Sequence, residues 1–214
     1  MRIRILLPAL AAAALAAAPA EAQPFRSDVT GPIITGSGVA GYPLVPIRDM
    51  EDALFRDVDG RTAFRNRAVA DALLNAAAEA QRAACSGTLQ PPRSWPRGVQ
   101  LDREAQRIVC GLLARGLDRE RVLNVLREGG PGRPGDAAER LVDALAGLGA
   151  VQTEFLGQRQ QFIAGDRWQA AIRAYEELID TAPDSLMDDP PAELVVIGVI
   201  LVYAVDAGLR ANEP

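Results

Sequence analysis

The chain has 214 residues, of which 23 are basic and 28 acidic, and its formal net charge is −5. It contains no histidine and no lysine, so every basic side chain is an arginine. Histidine is the usual general base and zinc ligand, and lysine forms Schiff bases and contacts phosphates in nucleotide loops. The composition therefore excludes catalytic triads, histidine-based metal sites and Walker-type nucleotide sites in their ordinary forms, and the acidic balance argues against nucleic acid as a partner.

The first 22 residues have the pattern of a secretory signal peptide. Arg2 and Arg4 precede an apolar run over residues 5–18, and small residues flank a predicted cleavage point after Ala22. The apolar run is shorter than the roughly 20 residues that a membrane-spanning helix needs. We predict an exported protein, periplasmic or extracellular, which keeps 21 basic and 27 acidic residues after cleavage.

Residues 23–48 are rich in glycine and proline and predict a flexible N-terminal arm. The sequence GSGVAG at residues 36–41 matches the G-x-G-x-x-G pattern of dinucleotide-binding folds. That pattern functions where its last glycine leads into a helix whose N-terminus faces the pyrophosphate. Here Pro43 and Pro46 follow at once and prevent such a helix, so we expect no nucleotide cofactor.

Residues 49–214 are predicted to form a single helical domain. A short acidic helical turn leads to Gly60, and the DVDG string at residues 57–60 lacks the oxygen ligands at either end that a calcium loop needs. An alanine-rich amphipathic helix then runs to about Ser86. We expect no metal site.

Three further helices are predicted from caps and apolar spacing. One begins after Asp102, carries the stripe Leu101, Ala105, Ile108 and Leu112, and stops at Gly116. The next lies between Asp118 and Gly129. The third runs from Asp136 to Gly165, with a kink or break near Gly147 and Gly149.

The C-terminal part is predicted to contain two more buried segments. A helix after Gly165 turns Trp168, Ala171, Ile172, Tyr175 and Leu178 inward. The last segment begins near Asp189 and Pro190 and stops at Gly208. Its apolar residues 194–205 favour a central buried helix, although their valine and isoleucine content leaves a buried strand open.

Cys85 and Cys110 are the two cysteines of the chain. An even number of cysteines in an exported protein predicts a disulfide, here one that closes the proline-rich segment around Trp95. Two free or redox-active thiols are the alternative.

Residues 153–185 resemble a single degenerate tetratricopeptide (TPR) repeat. Phe155 and Phe162 have the spacing of the first helix of the repeat, and Ala171, Tyr175, Leu178 and Pro183 have that of the second helix. Arg159 departs from the pattern, since it stands where the family has a small residue, and Gly165 lies one residue early for the inter-helix turn. The resemblance implies a helical hairpin that serves as a protein-interaction surface.

Four residues are the predicted contacts to a partner. Trp95 lies in a loop that the disulfide restrains, where it either anchors a partner or folds back over the helices. Arg159, Arg167 and Arg173 would meet carboxylates or phosphates near the hairpin, unless they are ordinary solvated charges.

The sequence predicts an all-α fold, either an irregular bundle or a short stack of helical hairpins, with one disulfide. The leading function is a non-catalytic interaction or scaffold protein, an accessory subunit of a cell-envelope or membrane-associated assembly. The alternative is a carboxylate-dependent hydrolase of envelope glycans. Its candidate acids are Glu154, Glu176, Glu177, Asp49, Glu51, Asp52, Asp57 and Asp59.

Overall fold

The computed structural model describes residues 50–93, 100–128, 135–152, 158–183, 186 and 189–212. The predicted signal peptide, the predicted arm with its GSGVAG string, and Trp95 lie outside the described residues.

The prediction of an all-α fold is confirmed, with the addition of one small antiparallel sheet. The elements in chain order are α1 (Glu51–Leu54), β1 (Phe55–Val58), β2 (Arg61–Phe64), α2 (Arg67–Ser86), α3 (Arg103–Arg115), α4 (Arg119–Glu128), α5 (Gly135–Gln152), α6 (Gln158–Thr181) and α7 (Ala192–Asn212).

Strands β1 and β2 replace part of the predicted acidic helical turn, which was wrong beyond Leu54. Asp59 and Gly60 both have positive φ, 55° and 76°, and therefore form the two-residue turn that matches the twist of a hairpin. Phe55 faces Phe64 across the strands with ring centroids 5.4 Å apart, and both rings are buried. The Asp-Gly pair was the local signal for this hairpin.

Helices α2 and α3 begin and end where their caps predict. Asn66 and Asp102 accept backbone N–H groups of the first turns, and Gly87 and Gly116 end the helices in the left-handed conformation. The predicted disulfide between Cys85 and Cys110 is confirmed and joins the end of α2 to the middle of α3, with the Cα atoms 5.1 Å apart.

Helix α7 forms the centre of the core, so the alternative of a buried strand is wrong. Its residues 194–206 are all buried, mainly against α2 and α3. The helix begins at Ala192, two residues after the predicted first position, and passes through Gly208 to Asn212. Gly208 does not stop the helix. It allows close packing instead, because a β-carbon there would stand 2.7 Å from a methyl group of Leu54.

Helix α7 has 21 residues, and its most apolar 18-residue window has a mean hydropathy of 2.1. By length and composition alone, such a helix could cross a bilayer. The apolar residues 194–205 alone predict no membrane span, because they are fewer than the roughly 20 residues that one needs. In the fold, 78% of that window is buried inside the protein, as in the core helix of a soluble protein.

Helices α5 and α6 differ from the predicted boundaries. Helix α5 continues through Gly147 and Gly149 to Gln152, and α6 continues through Gly165 from Gln158 to Thr181. The turn expected at Gly165 is therefore wrong, and nothing in the described fold identifies a TPR unit. Gly165 instead allows contact with β2, because a β-carbon on it would lie 2.7 Å from the carbonyl oxygen of Thr62.

The inward stripe of α6 is confirmed. Its members are all buried: Trp168, Ala171, Ile172, Tyr175 and Leu178.

Candidate binding cleft

Two of the three arginines predicted as partner contacts hold elements of the fold together. Arg167 donates to the carbonyl oxygen of Gly147 and so joins α6 to α5. Arg173 binds the carboxylate of Glu51, with its Nε atom 2.9 Å from both carboxylate oxygens. This hydrogen bond raises the pKa of Arg173. Arg159 lies in the first turn of α6, and its side chain is outside the described part.

The Arg173–Glu51 pair belongs to a polar network that docks α1 and the hairpin on α6. Gln169 donates to Glu51 at 2.9 Å and accepts from the hydroxyl of Thr62 at 2.7 Å. The backbone N–H of Thr62 donates to Asp166 at 2.9 Å. The side chains of this network thus bind other residues of the fold and do not present free charges at the surface.

A cleft of about 430 Å³ opens between the start of α3 and the start of α7. Its floor is apolar and largely buried, and its rim is polar and exposed. The lining residues are Gln100, Leu101, Asp102, Asp189, Pro190, Pro191, Ala192 and Val195. The volume falls in the range of small-ligand or single-segment binding sites, which is about 300–1,000 Å³.

The walls of the cleft are built from rigid helix starts. The Asp102 carboxylate accepts the backbone N–H of Ala105 at 2.7 Å, which fixes the first turn of α3. The carbonyl of Pro191 accepts the N–H groups of Leu194 and Val195 at 2.9 and 3.2 Å, which closes the first turn of α7. Two successive prolines have restricted φ angles, so the α7 wall is preorganised.

The segment that contains Trp95 is fixed at both of its described ends. The buried amide of Gln106 accepts the N–H of Leu89 at 3.0 Å and donates to the carbonyl of Leu101 at 3.2 Å. The hydroxyl of Tyr203 on α7 donates to the carbonyl of Gln90 at 2.9 Å. Gln100, the first described residue after this segment, lines the cleft.

The sequence pattern alone predicts no role for Gln106. The signal for it is weak, a polar residue next to the apolar stripe of α3. A buried amide is stable only with hydrogen-bond partners, and the chain supplies these from residues 17 and 5 positions away.

Among the described residues that line the cleft, two are acidic and none is basic. Asp102 and Asp189 are both exposed on its rim. Arg121 is engaged with Glu104 at 2.7 Å, and this hydrogen bond and the charge of Glu193 raise its pKa. The rim can therefore accept hydrogen bonds from a cationic group.

A second space in the core is too small for a ligand. It measures about 10 Å³, enough for at most one water molecule, and apolar side chains surround the Nε1–H of Trp168.

Among the described residues, no three histidine, cysteine or carboxylate side chains lie together as a metal site would require. On the surface the structure describes, Leu117 is the one large apolar side chain that is exposed, at 52%.

No protein-family model, no curated protein and no solved structure matches this chain.

Proposed function

We propose that this chain is an exported, non-catalytic interaction protein, and that the cleft between α3 and α7 binds a positively charged segment of a protein partner. The observation that carries the proposal is the construction of the cleft: two rigid helix starts, an apolar floor at Leu101 and Val195, and the exposed carboxylates of Asp102 and Asp189. An arginine or lysine side chain could pair with the rim while its aliphatic stem contacts the floor.

The disulfide supports the assignment to an oxidising compartment, outside the cytoplasm. The predicted signal peptide points the same way. We therefore place the protein in the periplasm or outside the cell, as an accessory subunit of a cell-envelope or membrane-associated assembly. Trp95 remains the proposed aromatic contact, because the described chain on either side of its segment is held by hydrogen bonds at Leu89, Gln90 and Leu101.

A non-catalytic role is favoured by how the carboxylates are used. Glu51 is bound to Arg173, Glu177 to Arg140, and Asp206 to Arg210. These acids stabilise contacts within and between helices.

Hydrolysis of envelope glycans is the second candidate, and one observation favours it: two aspartates share the cleft. A glycoside hydrolase needs one of its two carboxyl groups protonated near neutral pH, which an apolar environment provides. Asp102 and Asp189 are instead exposed to solvent, and Asp102 already accepts a backbone N–H. This arrangement suits cation binding better than acid catalysis.

The experiment is site-specific photo-crosslinking in cells that export the full-length protein. A benzophenone amino acid replaces Gln100 or Ala192 at the cleft rim, and Glu79 on the exposed face of α2 serves as the control. We expect a discrete adduct from the two rim positions and none from Glu79. Mass spectrometry of the adduct should place the crosslink next to a basic residue of the partner.

Charge reversal tests the chemistry of the contact. Asp189→Arg should abolish the adduct formed from position 192, whereas Glu79→Arg, which makes the same change in net charge, should leave it intact. An adduct that forms equally in both variants contradicts the cleft as the binding site. Release of reducing ends from purified cell-wall glycan that is lost in Asp189→Asn would favour the hydrolase instead.

A further inference from the structure

The Cys85–Cys110 disulfide lies at the surface and not in the core. Cys85 is exposed and Cys110 is half-buried, although the helices that carry them pack through buried residues. Thiol–disulfide exchange begins when a thiolate reaches one of the two sulfurs. A buried bond reacts only after unfolding, whereas a bond at an exposed residue such as Cys85 can be reached in the folded protein.

Each cysteine has an arginine one helical turn before it. Arg82 precedes Cys85 on α2 and Arg107 precedes Cys110 on α3, and residues three apart share a helix face. Both arginines are exposed, and neither forms an ion pair with a carboxylate in the described ranges. Positive charge beside a cysteine stabilises the thiolate, which makes the cysteine a better leaving group.

The contact between α2 and α3 has supports other than the disulfide. Ala80 and Ala84 on α2 and Ala105 and Val109 on α3 are buried in the common core. The Gln106 amide holds both ends of the connecting segment through its own hydrogen bonds. Opening the sulfur bond therefore does not require the helices to separate.

We propose that Cys85–Cys110 is a site of reversible exchange with dithiols. A thiolate of the dithiol attacks Sγ of Cys85, the Cys85–Cys110 bond breaks, and Cys110 leaves as a thiolate with the bonding electron pair beside Arg107. The second thiol of the reagent then attacks the mixed disulfide and releases Cys85. The protein gains two electrons and the dithiol is oxidised to a disulfide. The disulfide is thus a redox-controlled cross-link in a fold that persists in both states. This role does not depend on the proposed cleft.

The test is reduction of the folded full-length protein by dithiothreitol at pH 7, with alkylation and mass analysis at each time point. The rate should rise in proportion to the dithiothreitol concentration, and far-ultraviolet circular dichroism should not change. Arg107→Gln should slow the reaction by about threefold to tenfold. Arg115→Gln, an exposed arginine of α3 that lies off the cysteine face, should not.

The direction of attack is tested with reduced glutathione, a monothiol. Its mixed disulfide should map to Cys85 and leave Cys110 as the free thiol. The proposal is overturned if the rate saturates with dithiothreitol and increases with low urea, because the reaction then waits for unfolding. Equal rates for Arg107→Gln and Arg115→Gln, or an adduct on Cys110, would also overturn it.

Discussion

The hydroxyl oxygen of Tyr175 on α6 lies against Gly198 on α7, 2.5 Å from where a β-carbon on that glycine would stand. The hydroxyl is buried and has no hydrogen-bond partner among the described residues. The Tyr175 ring can pack this closely against α7 because Gly198 has no side chain.

Gly198→Ala should destabilise the protein by about 2 to 3 kcal/mol, since a methyl group cannot enter without displacing a buried ring. In the double variant with Tyr175→Phe most of this loss should disappear, because the next ring atom is 3.3 Å away. Urea unfolding of the four members of this cycle measures the coupling.

Gly147→Ala is the matched control for that cycle. Its β-carbon would meet nothing closer than 3.8 Å, so the substitution should be neutral or stabilise α5 by up to about 1 kcal/mol. A similar loss in Gly147→Ala and Gly198→Ala would mean that steric contact is not the cause.

Tyr175→Phe alone should stabilise the protein by about 1 kcal/mol at pH 8, because it removes a buried hydroxyl that makes no hydrogen bond. An unchanged or lower free energy of unfolding would show that the hydroxyl has a partner in solution.

The same variant should change the response to alkali. Burial raises the pKa of the Tyr175 hydroxyl above its ordinary value. Below the unfolded pKa, about 10, the group is neutral in both states; above it the unfolded chain loses a proton that the folded protein keeps. Stability should therefore fall as the pH rises above 10, by up to about 1.4 kcal/mol per unit from this group.

The advantage of Tyr175→Phe over wild type should grow between pH 9 and pH 11. Urea midpoints over this range test it, and the absence of lysine removes a common interfering titration. A constant difference across the range would contradict the assignment of the alkaline loss to Tyr175.

Gln106→Leu should lower the free energy of unfolding by about 3 kcal/mol. The leucine fills the space but leaves the buried N–H of Leu89 and the carbonyl of Leu101 without their side-chain partner, and each unsatisfied group costs about 1–3 kcal/mol. Gln81→Leu, on the half-buried face of α2, is the control and should change stability by less than about 0.5 kcal/mol. A small effect at Gln106 would show that water replaces the amide.

Gly165→Ala should detach the hairpin from α6 or destabilise the fold by about 3 kcal/mol. The new β-carbon would meet backbone atoms, the carbonyl oxygen of Thr62 at 2.7 Å and the Cα of Ala63 at 3.1 Å, and backbone cannot move aside as a side chain can. Hydrogen exchange of the β1 and β2 amides distinguishes local detachment from global loss. Protection equal to wild type would argue against the close contact.

The helices α2 and α3 could be predicted almost to the residue because their signals are local. Asn66, Asp102, Gly87 and Gly116 each act within one turn of the backbone, and the apolar period defines the buried face. The hairpin also has a local signal, the Asp59-Gly60 pair at its turn, but the apolar period does not show its strands. Its strands are too short to show a period of their own.

The roles of three glycines could not be predicted in this way. Gly165, Gly198 and Gly208 lie inside helices, where glycine by itself indicates a turn or a stop. Each is instead a point where another part of the chain comes within contact distance. The partner atoms belong to residues 23 to 154 positions away, so no local pattern contains them.

The sequence by itself determined the helical class, the disulfide and the absence of histidine and lysine chemistry, because these follow from composition and from the local period of apolar residues. Tertiary structure decided where the cleft lies, since Asp102 and Asp189 are 87 positions apart and meet only when α3 and α7 pack. It also decided that Arg167 and Arg173 bind within the fold. Such contacts follow from which faces are buried together, and that is a property of the packed chain.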